Sequence, residues 1–304
     1  MDLKKDLRKF LKTAKKPLIV VLGPTASGKT DLALKLAKMV KGEIISTDSR
    51  QIYRDMDIST DAILEKNQEK IPHHLLRITD PDQTFTLAEY SDLALKTIKA
   101  IYKKKKIPLL VGGTGLYISS IIEGYKVPKI APDKKLREKL TKEAEKKGNE
   151  FLYKKLVELD PEAAKTIHPN NLRYVIRALE INMTGGQNKV DDKSKKSPFD
   201  LFIVGVEWPR EKLYERINKR VDQQIKRGLV KEVETLLKKY DAKLPSMSSL
   251  GIKEIVPHVN GKKKLEECVE TLKQNTRNYA KRQLTWFRRY DDINWLKPSE
   301  VKKI

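Results

Sequence analysis

Hydrophobic positions along the chain alternate between short β-branched runs and longer stretches of helical period. Residues 17–23 (PLIVVLG) are apolar and close on glycine, while Leu32, Leu34, Leu36, Ala37 and Val40 recur in a largely helical pattern over residues 30–40. The spacing predicts strand, loop, helix. A second strand is expected over residues 43–47, stopping at Asp48, and a third over 107–111, stopping at Gly112, with a helix over 86–103 between them. Strands that alternate with helices imply a parallel sheet, and in such sheets functional groups gather at the carboxyl ends of the strands. Residues 23–30, Asp48 and residues 112–115 all fall on that rim.

From about Tyr125 to residue 170 the chain turns rich in lysine and glutamate without a strand pattern, which predicts a helical insertion outside the sheet. An amphipathic helix follows over residues 171–183, with Val175, Ile176, Leu179 and Met183 on or near one face, closed by Gly185 and Gly186. Residues 187–198 are polar and read as a mobile loop. A strand over 201–206 returns the chain to the sheet, a basic and mostly helical stretch covers 210–290, and a short strand is expected at 293–296. The expected organisation is a basic N-terminal extension (1–16), a core (17–124 and 171–304) and a helical insertion (125–170). No internal repeat is visible.

Charge narrows the partners. Among 304 residues, 64 lysines and arginines face 41 acidic residues, a formal net charge of +23. Such a surface attracts nucleic acid or acidic membranes, the plain alternative being a lysine-rich solubilising surface. The single cysteine, Cys268, excludes an intramolecular disulfide or a multi-cysteine metal site and suits helix packing. The apolar run 18–22 is too short for a signal-peptide core or a membrane span, and Asp2 and Asp6 speak against a targeting segment. The expectation is a soluble cytoplasmic protein with no membrane partner, and nothing demands more than a monomer.

Residues 23–30, GPTASGKT, match G-x-x-x-x-G-K-[ST] between a strand and a helix. The simpler alternative is a glycine-containing turn. As a phosphate loop, Gly23, Pro24, Thr25, Ala26, Ser27, Gly28, Lys29 and Thr30 would cradle a diphosphate on backbone amides, with Lys29 neutralising it and the Thr30 hydroxyl facing Mg2+. The fold class follows: α/β, a P-loop NTPase-like parallel sheet core with a helical insertion domain and a mostly helical C-terminal region. Most such loops serve nucleotide and ATP binding, but hydrolases place an acid at a neighbouring strand end to hold magnesium. The third strand here ends in Gly112, Gly113 and Thr114 instead. The acid follows the second strand: Asp48 is placed to act as general base or magnesium ligand, or it merely caps a strand end.

Five segments then occur in order: GPTASGKT, DSRQIYRDMDIST from Asp48, VGGTGLYI at 111–118, RALE at 177–180 and TRNYAKRQLTWFRR at 276–289. Together they resemble the tRNA dimethylallyltransferase family over about residues 17–296. The resemblance implies a phosphate-loop core bearing a tunnel, with dimethylallyl diphosphate entering one mouth and the flipped adenine of a tRNA anticodon stem-loop the other. The helical insertion then embraces the stem. Asp48 becomes the base toward the exocyclic amine of the adenine, with Lys29, Thr25 and Arg220 completing the catalytic set at the diphosphate. Asp48, Ser49, Arg50, Gln51, Thr114, Arg173, Arg177, Ser248, Gly251 and Lys253 become tRNA contacts.

The chain departs from the family pattern at Asp55 and Ser59, where glycine is usual, at Asn170-Asn171 in place of Asn-Asp, at Leu172 in place of a polar residue, and at Ile252 in place of tyrosine. In the C-terminal segment Arg277, Lys281, Arg282, Arg288 and Arg289 interleave with Tyr279, Trp286 and Phe287. Two readings stand side by side there: phosphate tracking with base stacking, or a packed helix with a basic outer face. Residues 103–106 (KKKK) read as a solvated helix end, His73 and His74 as packing and hydrogen-bonding residues, and Tyr117 as a packing residue. Rival functions are a free-adenylate prenyltransferase, a phosphate-loop small-molecule kinase and an RNA-binding protein without activity.

Overall fold

The computed structural model describes residues 2–63, 68, 70–124, 132–185 and 197–304. They fall into two compact units, Met1–Ile122 with Ser197–Ile304, and Glu123–Lys196.

The first unit is built on six parallel strands: β1 (Pro17–Leu22), β2 (Glu43–Ser46), β3 (His73–His74), β4 (Pro108–Gly112), β5 (Asp200–Val206) and β6 (Ile293–Leu296), in the spatial order β3-β2-β4-β1-β5-β6. Strand β1 shows why its sequence is an unbroken apolar run. Ile19 and Val21 bury into the core on one face of the sheet, and Leu18, Val20 and Leu22 into that on the other. Helices α1 (Leu3–Thr13) and α2 (Lys29–Val40) cover the first face through Leu3, Leu7, Leu32, Leu36 and Ala37. After α3 (Asp57–Thr60), helices α4 (Leu87–Lys103) and α5 (Gly115–Ile122) cover the second through Tyr90, Ala94, Ile98, Ile118 and Ile121. Helix α4 opens with a capping box, in which Thr86 Oγ1 accepts from Glu89 N–H at 3.2 Å and the Glu89 carboxylate accepts from Thr86 N–H at 2.7 Å.

The second unit consists of α6 (Lys134–Lys147), α7 (Asn149–Leu159), α8 (Pro161–Thr166) and α9 (Leu172–Met183). Its core joins Leu140, Leu152 and Leu156 to Val175, Ile176 and Leu179. The helix over 172–183, expected in the sheet-bearing core, thus packs with the insertion. Its apolar face finds complementary leucines on α6 and α7, and buried Glu180 fixes it to α6 by taking Arg137 at 2.7 Å and the Asp133 N–H at 2.7 Å. The start of the insertion at Tyr125, the helix stop at Gly186 and most of the polar loop over 187–198 lie outside the described residues.

The chain re-enters the first unit at β5 and continues through α10 (Arg210–Lys226), α11 (Leu229–Lys239), α12 (Ile252–Val259), α13 (Leu265–Phe287) and, beyond β6, α14 (Pro298–Lys303). Helices α10 to α13 enclose a further core with Ile52, Tyr53 and Met56. Cys268 and Ile252 are buried within it. Among the described residues no helix is long and apolar enough to cross a membrane.

Two expectations change. The basic segment 1–16 is no free extension, because α1 buries Leu3 and Leu7 and sets Phe10 5.3 Å from Phe202. The lysines at 103–106 are not simply solvated either: Lys104 and Lys106 reach the buried Glu43 carboxylate at 3.1 and 2.9 Å. His74 joins them at 2.8 Å, and His73 Nδ1 lies 2.8 Å from the Ile71 carbonyl oxygen, so both histidines hydrogen-bond within the fold.

Candidate active site

Register explains why distant segments meet. Leu22 pairs with Gly112, and Val111 pairs with Ser46, so the chain leaves β1, β4 and β2 side by side. The phosphate loop, residues 113–114 and residues 47–51 therefore share one rim. A Cβ at Gly112 would lie 2.3 Å from Thr47 Oγ1, which only glycine avoids. Thr114 N–H donates to the Thr47 carbonyl at 3.1 Å, and Ser49 N–H donates to Thr114 Oγ1 at 3.0 Å. Thr114 thus fixes the segment that carries Asp48.

The loop turns through Ala26 (φ 61°) and Gly28 (φ 90°) into α2, whose first residues are Lys29 and the exposed Thr30. Its outer carbonyls are tied down. Arg216 Nε donates to Ala26 O at 2.8 Å, Trp208 Nε1 donates to Ser27 O at 2.8 Å, and the Arg216 guanidinium sits 4.4 Å above the Trp208 ring. Lys29 Nζ donates to Pro24 O at 3.4 Å. Among the described residues the buried Ser27 hydroxyl finds no hydrogen-bond partner, which leaves a donor free within the loop.

Positive charge converges there. Arg220, on α10, donates to Thr25 Oγ1 at 2.9 Å and lies 3.4 Å from the Asp61 carboxylate, which also takes Arg227 at 2.8 Å. Burial, then the Arg220 charge, lower the Lys29 ammonium from its ordinary 10.5 to about 8, against the opposing pull of Asp48 and Asp61. Asp48 is held by its own turn: its carboxylate accepts Arg50 N–H at 2.9 Å, and its N–H donates to Ser46 Oγ at 3.3 Å. Tyr279 is pushed up to about 12 by burial and by the Asp48 charge, partly offset by a hydrogen bond to Thr114. Tyr117 packs as expected, stacked 3.8 Å from Tyr90.

The remaining expected contacts spread wider. Arg50 reaches Pro245 O at 2.9 Å and Ser248 Oγ at 3.4 Å, joining the Asp48 segment to the 248–253 segment. Gln51 spends its amide on Ser46 Oγ at 3.3 Å and Thr60 O at 3.2 Å. Gly251 is buried at φ 91°, while Lys253 is exposed. Asp55 adopts φ 62°, the region glycine favours, and its carboxylate takes Lys239 at 2.9 Å. Ser59 lies against Gly251, whose added Cβ would meet Ser59 Cβ at 3.2 Å. Arg173 is exposed on α9, in the second unit, where Arg177 pairs with Glu180.

Along α13 both readings of the C-terminal segment hold in part. Phe287 is fully buried and Trp286 partly so, while Lys281, Arg282 and Arg289 line an open concavity of about 470 Å³ with Asn278, Thr285 and Trp286. Arg289 lies 4.8 Å above the Trp286 ring, and Arg277 donates inward to Asn218 at 2.7 Å. Motif reading overlooked Arg216, Trp208, Asp61 and Gln283. For Gln283 the signal was present: with Thr276 it is one of two polar residues in the buried stripe Leu272, Thr276, Ala280, Gln283, Phe287, and the one whose amide cannot be satisfied by its own helix backbone alone.

The model of the IPP transferase family matches residues 51–290. The chain belongs to the IPP transferase family. It is 49% identical over 294 residues to the tRNA dimethylallyltransferase of Halothermothrix orenii, covering 94% of this chain and 90% of that one. To the enzyme of the same name from Acetivibrio thermocellus it is 47% identical over 289 residues, covering 93% and 92%. The crystal structure of the tRNA isopentenylpyrophosphate transferase of Bacillus halodurans superposes with a TM-score of 0.71 at 40% identity, covering 95% and 94% of the two chains. A eukaryotic dimethylallyltransferase acting on tRNA gives a TM-score of 0.78 at 29% identity, over 93% of this chain and 74% of that one. As an IPP transferase, the chain has a P-loop-like parallel sheet, and β4 ends in Gly112 with no acid following.

Proposed function

We propose that this chain is a tRNA dimethylallyltransferase: it moves a dimethylallyl group from dimethylallyl diphosphate to the exocyclic N6 of adenosine 37, beside the tRNA anticodon. The products are N6-(dimethylallyl)adenosine and diphosphate. The observation that carries this reading is the gathering of Lys29, Arg220 and the Thr25 loop on one side of the strand ends with the Asp48 carboxylate on the other.

The N6 lone pair forms a bond to the prenyl C1 as the C1–O bond breaks, and that bonding pair leaves on the diphosphate oxygen. Charge grows on the leaving oxygens, where Lys29, Arg220 and the loop amides stabilise it. The amine proton passes to the Asp48 carboxylate, which Arg50 N–H keeps in place. Among the described residues no cluster of three acidic, histidine or cysteine groups could hold a metal ion unaided. Were magnesium to accompany the prenyl donor, the exposed Thr30 hydroxyl would help to hold it, and it would supply further positive charge to the leaving group.

The acceptor reading draws on the +23 charge and on Lys281, Arg282 and Arg289 around Trp286, where a phosphate backbone would lie. The proposed setting is a cytoplasmic monomer. A small-molecule kinase is disfavoured by the glycines after β4, and a free-adenylate prenyltransferase has no use for so basic a surface. The test is incubation with Mg2+, labelled dimethylallyl diphosphate and either unmodified tRNA or AMP, followed by nucleoside analysis. Label on the adenosine beside the anticodon is expected. Label on AMP alone, or on neither, would overturn the proposal.

Lys29 supplies a pH prediction. Its ammonium form binds diphosphate, and the ordinary pKa of 10.5 is lowered to about 8 in the free protein. The charged form is therefore lost as pH rises through about 8, and kcat/KM for the prenyl donor should fall there, approaching roughly tenfold per pH unit. A profile flat to about pH 9.5 would contradict this role.

A further inference from the structure

Strands β1 and β4 stay in register up to Leu22 and Gly112, and the two chains part beyond that pair. One departs into the phosphate loop, the other into Gly113 and Thr114. The side chain of Gln283, on α13, fills the fork. It is 5% exposed; its Oε1 accepts Thr25 N–H at 2.8 Å and its Nε2 donates to Gly113 O at 2.8 Å. A Cβ at Gly113 would sit 2.1 Å from that Nε2, so glycine is what admits the amide. Neighbouring turns of α13 repeat the lacing. Tyr279 lies beside Thr114, and Trp286 covers Gly115 while donating to Ser119 Oγ at 3.2 Å.

We infer that Gln283 is a positioning residue for prenyl transfer, its amide setting the separation between the diphosphate loop at Thr25 and the strand end that carries Thr114 and, through Ser49, Asp48. This rests on the transferase reading above. A buried amide with its carbonyl and amino ends both engaged is a stiff strut. In-line displacement needs the amine and the prenyl carbon about 3–3.5 Å apart, and loss of such alignment costs roughly 10²-fold. Thr25 carries two links in opposite senses: its N–H is held by Gln283 and its hydroxyl by Arg220, so the side chain also fixes which way the loop presents Arg220.

Three substitutions test it. Gln283→Met keeps the volume and removes both hydrogen bonds, and should lower kcat roughly 10- to 100-fold and raise the donor KM, with tRNA Kd within about twofold. Gln283→Glu keeps an acceptor for Thr25 N–H but sets a carboxylate against Gly113 O, so kcat should fall while the donor KM stays within about threefold of wild type. Gly113→Ala reaches the same strut by steric conflict, and its loss should be non-additive with that of Gln283→Met. A role in packing alone would lower the melting temperature without this split. Wild-type kcat and KM in folded Gln283→Met, or additive losses in the pair, would overturn the inference while wild-type transfer to tRNA leaves the functional reading standing. Should Gln283→Met not fold, wild-type kinetics in Gly113→Ala overturn it instead. A wild-type chain that transfers nothing to tRNA overturns both.

Discussion

Asp48→Asn is expected to lower kcat for prenyl transfer by roughly 10²- to 10⁴-fold, the range that one general base supplies. The substitution is nearly isosteric. An asparagine Oδ1 still accepts the Arg50 N–H that the carboxylate takes at 2.9 Å, so the turn and the links from Arg50 to Pro245 and Ser248 should persist. Affinity for tRNA is therefore expected to stay within about threefold of wild type, less than 1 kcal/mol. A second readout comes from charge. Asp48 is one of the two carboxylates that raise the Lys29 pKa, so its neutralisation should shift the alkaline fall in donor kcat/KM below about pH 8. Single-turnover rates and tRNA binding on the same preparation, across pH, check both. Wild-type turnover, or equal losses of turnover and tRNA affinity, would remove Asp48 from the role of base.

Much of this site was legible before any coordinates, because the chemistry is written locally. The phosphate loop occupies eight consecutive residues, and Asp48 and Thr114 each follow an apolar run whose end marks a sheet rim. What the sequence concealed is non-local. Gln283 meets Thr25 across 258 positions: its stripe marks it as inward-facing, but no periodicity names its partner, and Arg220, which meets Thr25 across 195 positions, is placed at the diphosphate by the family resemblance alone. Strand β3 has only two residues and exists because His73 and His74 pair with Ile44 and Ile45, too short a run to carry a pattern. Helix α1 is hidden for the opposite reason. Its lysines dominate the composition, yet Leu3, Leu7, Phe10 and Leu11 already trace a helical stripe that ends up against the core. Helix α9 has a well-formed apolar face, but a face does not name its partner, and the leucines of α6 and α7 claimed it.

Glu43→Gln is expected to destabilise the sheet-bearing unit by up to about 3 kcal/mol at neutral pH and by little near pH 2. Glu43 opens β2, opposite Pro108 at the start of β4, at the end of the sheet away from the site. Burial alone would raise its carboxyl pKa. Hydrogen bonds from Lys106, His74 and Lys104 outweigh that and bring it from the ordinary 4.5 down to about 2. The sign follows from linkage. A carboxylate with a depressed folded pKa stabilises the fold above its unfolded value of 4.5, and that stability is lost as pH falls through about 2. The gap between those values corresponds to about 3 kcal/mol, an upper figure because Lys104 and Lys106 are half-exposed and can turn to water when the charge is removed. Trp208, Trp286 and Trp295 all belong to this unit, so tryptophan fluorescence in denaturant follows its unfolding without the helical insertion. The difference in stability between wild type and Glu43→Gln should be constant above about pH 5.5 and close progressively toward pH 2, while kcat at neutral pH is unchanged. A difference that does not narrow in acid would mean that Glu43 acts through shape rather than through charge.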